Sequence, residues 1–422
     1  MESRRVSLLR YAPLFVLLMV MLADSWQRTD PDLWGHVRFG QLTLQHHGPF
    51  LADPYSYSAL GHPWRNHEWL TEVVMALSYD SLGGFGLKLW KFGCTAATIL
   101  FIVLAMAETG GSAGVQLGTL TLAALGLMLQ MQFRPQLFTF AFFAALLAIL
   151  ARDNYRGSAP LWLAIPIMTL WGNLHGGYII GIATLGTYTA VAGAQDLLAG
   201  RGWGRVRRLG LITVLGTMAT LISPYGIENW LVVLNALRVH ALRSVINDWQ
   251  PLMHSMAGQW EINHWGVIPY ACVLGLIAAF AVLFVLHPAG GDLPLAVIAA
   301  LMSAAAFAAV RNMPLAVIAC TLPIVRRMEV VFTDLRERAA ANGAPFKPPP
   351  ERTEVNPWFA GAAVIGIALY LGVFSAHIGT DTDYPAGAIA YMKAHHLHGN
   401  VLVNFNWAEY FIWQAPESRV FI

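Results

Sequence analysis

Apolar runs close to twenty residues long recur along this chain, and no other feature limits its fold as strongly. A helix rises about 1.5 Å per residue, so a run of about 20 spans the roughly 30 Å hydrocarbon core of a bilayer. Eleven such runs are predicted: 8–25, 85–107, 114–132, 135–151, 160–172, 176–198, 208–223, 266–287, 293–310, 312–325 and 357–377. Of the 422 residues, 56% are hydrophobic and only 12% charged, against about 25% charged in soluble proteins. Backbone polar groups in lipid must bond to one another, which a helix achieves within one segment. The expected fold class is therefore an all-α polytopic membrane protein. The first run follows Arg4, Arg5 and Arg10 and ends at Asp24-Ser25-Trp26-Gln27-Arg28, with no small-residue cleavage site. It reads as a retained first helix, not a signal peptide.

The distribution of Lys and Arg sets the orientation. With the N-terminus inside, 15 of the 26 basic residues fall on inner segments. They cluster at 4–10, 152–156, 201–208 and 326–352, four places that satisfy the positive-inside rule independently. The long loop 24–70, the second loop 224–264 and the tail then lie outside, and the Pro-rich linker 326–356 lies in the cytoplasm as an extended, solvated chain. No basic patch interleaved with aromatics is present, which argues against nucleic acid as a partner. Cys94, Cys272 and Cys320 fall in apolar runs without disulfide or zinc spacing.

The loop 24–70 concentrates the chemistry-bearing residues. Loops of this length in compact domains usually carry function. In Asp30-Pro31-Asp32-Leu33-Trp34-Gly35-His36, a helix would place Asp32 and His36 on one face. Such carboxylates can deprotonate a hydroxyl or, with His36, hold a divalent cation. Asp30 before Pro31 equally reads as a helix cap. Asp53-Pro54 reads as a turn. His67-Glu68 places an imidazole and an acid at the start of a short helix expected over 68–79, where Glu68 either caps it or serves as a second acid. Beyond the loop, Arg134, the turn Asn173-Leu174-His175-Gly176-Gly177, Ser223-Pro224-Tyr225-Gly226 and Arg311-Asn312 all fall on the outer side. Each passes individually for an interhelical turn with a snorkelling arginine. Together they put two cations at outer helix ends, where isolated charge is costly and a phosphate clamp is natural. Glu261, Asn263 and His264 are weaker candidates.

The tail from Asp381 reads as soluble: helix over 384–396, strand at 401–403, helix over 406–413 and strand at 419–422. An outer strand ending in Val420-Phe421-Ile422 is a bare edge without a partner, so the α/β unit is expected to be incomplete.

A cytoplasmic N-terminus, acids just after the first helix, about eleven spans and the segments DPDLWGH, NHEWL, NLHGG, SPYG and RN-P resemble the GT-C superfamily of integral-membrane glycosyltransferases, in a bacterial branch near the protein-mannosyltransferase-like proteins. The resemblance covers about 8–377. It implies a transmembrane GT-C-like domain over 1–377 and an outer α/β segment over 378–422. It implies a bacterial plasma-membrane enzyme that moves a sugar from a polyprenyl-phosphate donor in the bilayer to a lipid, glycan or protein acceptor on the outer face. Asp32 would be the base, with Asp30 in reserve and Glu68 as a further acid. Arg134 and Arg311 would hold the lipid phosphate. His67, His175, Asn173, Trp34 and Tyr225 would line the substrate site. Asp30, Asp32 and His36 are the expected ligands of any divalent cation, Mg or Mn; no cofactor is certain. Many GT-C members carry adjacent acids in this loop, whereas here Pro31 separates them. Three other readings stand beside this one: a polymerase or ligase of lipid-linked glycans, a transporter, and an assembly scaffold.

The orientation predicts opposite labelling of single cysteines at Ser58 and Ser158 in a background without the three native ones. An impermeant thiol reagent should reach the first from outside and the second only after permeabilisation. Equal labelling of both would overturn it.

Overall fold

The computed structural model describes residues 30–238, 246–288, 291–342 and 384–421. The expected spans 8–25 and 357–377 lie outside them. The described chain is predominantly helical. It opens with α1 (Leu33–Gln45) and α2 (Trp69–Leu82), then the apolar series α3 (Gly84–Glu108), α4 (Ala113–Leu127), α5 (Gln136–Arg156), α6 (Ala164–Leu174), α7 (Tyr178–Leu198) and α8 (Gly204–Ala219). Next come α9 (Ile227–Arg238) and α10 (Leu252–Ile262), then α11 (Ile268–Leu286), α12 (Leu293–Ala308) and α13 (Met313–Ala341). The tail contributes α14 (Ala386–Ala394), β1 (Asn400–Val401), α15 (Ala408–Gln414) and β2 (Arg419–Val420).

Three helical stretches, Gly84–Glu108, Gln136–Arg156 and His264–Leu286, have the length and apolarity to cross a membrane. Shorter apolar stretches at Gly114–Gln130, Leu161–Leu174 and Leu293–Ala308 accompany them. α3 packs on α5, and α13 on α4, α11 and α12. Outward faces stay greasy: Leu122, Leu211, Ile222 and Val285 are all exposed. A contiguous apolar exterior of this kind belongs in a bilayer.

Two expectations need correction. The segment 326–356 is not an extended linker from its start, because α13 continues as helix to Ala341. Its charges sit on a helix surface, and Glu329 anchors it by accepting from the Ser112 N–H at 2.8 Å. The second loop 224–264 also holds two helices, α9 and α10.

Side-chain contacts sort the helix ends into two sets. At one end Arg205 and Arg208 meet Asp153 at 2.7 and 2.8 Å, and Arg327 meets Asp292 at 2.6 Å. The other end carries α1, α2, the loop between them and the tail. There Trp69 Nε1 donates to Asn173 Oδ1 at 3.2 Å, the Thr71 hydroxyl to the Leu174 carbonyl at 2.5 Å, and the Tyr225 hydroxyl to the Phe50 carbonyl at 3.2 Å. Arg65 pairs with Glu228. The 30–70 loop is thus tied down on the helix ends at several points.

The tail docks on this loop. β2 is not a bare edge. It runs parallel to β1 on one side and bridges Ser56 on the other, where the Tyr57 N–H donates to the Val420 carbonyl at 3.1 Å. Val420 is fully buried between them. Trp413 stacks on Trp34 with centroids 4.0 Å apart, and the Tyr384 hydroxyl donates to the Asp30 carbonyl at 3.0 Å. The contacts of the tail with the loop escape sequence reading because their partners lie more than 350 residues apart.

α1 and α2 touch at Gly40, where a Cβ would meet the Glu72 carbonyl and come within 2.8 Å of the Ala76 Cβ. Gly40→Ala should destabilise the protein in detergent by about 1–3 kcal/mol through overpacking, read as a lowered Tm. Gly48→Ala, which has open space around it, should leave the Tm unchanged.

Candidate active site

The docked loop, the helix ends beneath it and the tail enclose one continuous charged cluster. Its hub is Arg134, in the turn before α5. Arg134 pairs with Asp30 and with Asp248, and lies 3.6 Å from Asp32. Burial disfavours its charge, but Asp30, Asp248 and Asp32 more than compensate and raise its pKa. The two loop acids differ. The Asp30 side chain is 2% exposed and its Oδ1 accepts the Asp32 N–H at 3.0 Å, forming a turn ahead of α1. Burial, opposed by Arg134, lifts its carboxyl to about 6. The Asp32 side chain is 42% exposed and makes no hydrogen bond among the described residues. It is the more accessible of the two acids.

One turn along α1, His36 Nδ1 meets Glu72 Oε1 at 3.1 Å, and Asn66 donates to the other oxygen of Glu72. Burial works against a charged His36, but Glu72, Glu409 and Glu68 outweigh it and raise the ring to about 10. Glu68 begins α2 and faces two imidazoles. His175 Nε2 is 3.3 Å away and His67 Nε2 3.7 Å. The Gly177 N–H donates to His175 Nδ1 at 3.0 Å, so this nitrogen carries no proton and Nε2–H points to Glu68. The Thr139 hydroxyl, which accepts from Trp171 Nε1 at 2.9 Å, lies 2.7 Å from the same nitrogen. Burial drops His175 to about 3, which keeps it neutral. Burial would raise Glu68, but His67 and His175 reverse it and the net shift is downward.

Arg311 completes the cluster from the turn before α13. Its guanidinium lies over the Trp249 ring at 4.5 Å and forms no ion pair among the described residues. Burial lowers its pKa, against the pull of Asp248 and Glu68.

Among the expected residues, Asp30, Asp32, His36, Glu68, His175, Arg134 and Arg311 converge here. Asn173 and Tyr225 serve as struts that hold the loop, through Trp69 and Phe50. Trp34 packs against Trp413 and Tyr79. Glu261, Asn263 and His264 form a separate exposed turn in which His264 Nδ1 lies 2.8 Å from the Trp260 carbonyl. Asp53 closes its own turn by accepting from the Tyr55 N–H at 2.7 Å. The His/acid group whose atoms converge within 4.8 Å is His36, Glu68 and Glu72, without Asp30 or Asp32, because Arg134 draws those two acids away. Two carboxylates and an imidazole are a donor set for a divalent cation, which on binding would displace the proton that Glu72 holds on His36.

Three participants escaped sequence reading. Glu72 follows Glu68 by one helical turn, a signal that was available. Asp248 precedes the Trp249 that carries Arg311. Glu409 had no local signal. It comes from α15 in the tail, and its carboxyl lies where a Cβ on Gly35 would be. Its Oε2 is buried without a hydrogen-bond partner. Burial first, then Asp32, raises its pKa well above the usual carboxylate range.

No protein-family model and no curated protein matches this sequence. Solved structures do. The chain is similar to the oligosaccharyltransferase AglB of Archaeoglobus fulgidus in complex with an inhibitory peptide and a dolichol-phosphate, with a TM-score of 0.59 and 14% identity over 97% of this chain and 64% of that one. The chain has the GT-C fold. The apo form of the Archaeoglobus enzyme superposes with a TM-score of 0.57 at 12% identity, and the form tethered to an acceptor peptide containing the NVT sequon with 0.56 at 13%, each over 99% of this chain and 64% of that one. This GT-C chain therefore spans just under two thirds of the length of the oligosaccharyltransferase it matches.

A carboxyl whose folded pKa is raised binds its proton more tightly in the fold than in the unfolded chain. Its contribution to stability is lost as pH rises above the unfolded value of about 4.5. Glu409→Gln, neutral at every pH, should therefore raise the Tm relative to the parent, with the gap widening from pH 5 to pH 8. A constant gap across that range would place Glu409 in solvent.

Proposed function

We propose that this chain is a GT-C membrane glycosyltransferase that moves a sugar from a polyprenyl-phosphate donor to a lipid, glycan or protein acceptor. It crosses the bacterial plasma membrane eleven times with its N-terminus in the cytoplasm, and works on the outer face. One observation carries the reading: an accessible carboxylate, Asp32, shares a buried charged cluster with Arg311, a cation that no acid of the described residues neutralises. A base for a hydroxyl and a free clamp for a phosphate are the two parts that such a transfer needs.

In the proposed step the acceptor hydroxyl gives its proton to Asp32 while its oxygen bonds to the sugar C1. The bond from C1 to the phosphate oxygen breaks, and the lipid phosphate leaves with the electron pair. Arg311 stabilises the charge that grows on that phosphate, in a site where water is sparse and electrostatic stabilisation is strong. Stacking on Trp249 holds the guanidinium in place at little entropic cost. Arg134, engaged by Asp30 and Asp248, is a positioning residue that keeps Asp32 beside the site. Glu68 and His175, locked together, shape the wall next to it. A divalent cation, Mg or Mn, would take His36, Glu68 and Glu72 as ligands and add positive charge beside the phosphate.

Asp32→Asn should keep the fold and lower transfer by about 10²–10⁴-fold, the usual cost of a lost general base. Arg311→Lys keeps the charge but loses the planar fork, and should weaken donor use at an unchanged Tm. The assay compares lipid-linked and surface glycans from cells carrying each variant. Full glycan transfer by both single variants and by the double variant would refute the mechanism and favour a scaffold. Substrate uptake into vesicles without transfer would favour a transporter.

A further inference from the structure

Further along α1 from Asp32 and His36 lies a second site. A cavity of about 550 Å³ opens between α1, the loop that follows it and the docked tail. A volume of this size is typical of small-molecule sites. Arg38 of α1 and Arg419 of β2 both line it, and neither side chain has a hydrogen bond or ion pair among the described residues. His46 and the aromatic rings of Phe50 and Tyr55 supply further wall. The Tyr55 hydroxyl is buried and has no hydrogen-bond partner. Glu417 is the one acid among the lining residues.

We propose that this cavity binds an anionic oligosaccharide, a glycan whose carboxylate or phosphate is held between Arg38 and Arg419. Two guanidinium groups from segments about 380 positions apart meet here only because the tail docks on the loop. Neither guanidinium is engaged by an acid of the described residues, so both are open to an anion. Flat aromatic faces next to polar donors suit the alternating apolar and hydroxyl faces of a sugar ring. The ladder holds the Arg419 main chain through its N–H to the Gly399 carbonyl at 3.0 Å, so the side chain is free for a ligand and is not needed for the fold.

The proposal stands whether or not the chain transfers sugar, because the test reads binding alone. The full chain in detergent is titrated calorimetrically with tri-galacturonate, trehalose 6-phosphate, neutral maltotriose and tetraglutamate. At least one of the two anionic saccharides should bind about tenfold more tightly than maltotriose, and which one does so separates carboxylate from phosphate. Arg38→Gln and Arg419→Gln should each weaken that binding by about tenfold, the loss expected of one charge-assisted hydrogen bond, with the Tm unchanged. Glu417→Gln should tighten it, a gain that misfolding cannot produce. Neither anion exceeding maltotriose, binding indifferent to both arginines, or tetraglutamate binding more tightly than either saccharide would overturn the proposal.

Discussion

The grip of three aspartates on Arg134 is the interaction on which the loop-bearing end of this protein depends. Asp30 comes from the start of the loop, Arg134 from the turn before α5, and Asp248 from the segment between α9 and α10. A buried cation without partners would cost several kcal/mol, and removing one partner of a buried pair typically costs about 3–5 kcal/mol. The cluster therefore forms as a unit. Its formation places Asp32 at the surface of the cluster and brings Trp249 beneath Arg311.

The cluster also explains why two arginines of similar expected role end up different. Arg134 is surrounded by acids and has no spare charge for a ligand. Arg311, stacked on an indole, feels Asp248 and Glu68 at a distance but pairs with neither. Division of labour follows from geometry: one arginine builds the site and the other remains open to it. The same contrast separates the acids, since Asp30 is buried as a strut while Asp32 faces outward.

The tail extends this logic. β2 inserts between β1 and the loop at Ser56, and Trp413 seats against Trp34, so the tail closes over α1 as a lid of backbone hydrogen bonds and stacked rings. Closing it brings Glu409 against Gly35, where a larger residue would leave no room, and brings Arg419 opposite Arg38. A single docking event thus adds an acid beside Gly35 and an arginine to the cavity that Arg38 lines.

The helical architecture was legible in the chain, because apolar runs of bilayer length admit few alternatives once backbone groups must be satisfied in hydrocarbon. Nine expected spans fall on described residues, and each coincides with a helix. The concentration of ionisable residues in the 30–70 loop was legible too, since Asp30, Asp32, His36 and Glu68 stand out against a greasy background. Their grouping was not. Sequence spacing joined Asp32 to His36 along one helix face, whereas the fold gives Asp30 and Asp32 to Arg134 and gives His36 to Glu72. Val420 looked like an unpaired edge and is buried between two partners. Asp248 and Glu409 carried no local signal, because an acid becomes part of a site through neighbours that arrive from hundreds of residues away. Local periodicity determines where helices run, since it records which faces meet lipid or core. The pairing of charges is decided only when tertiary contacts remove water from between them and make each choice of partner worth several kcal/mol.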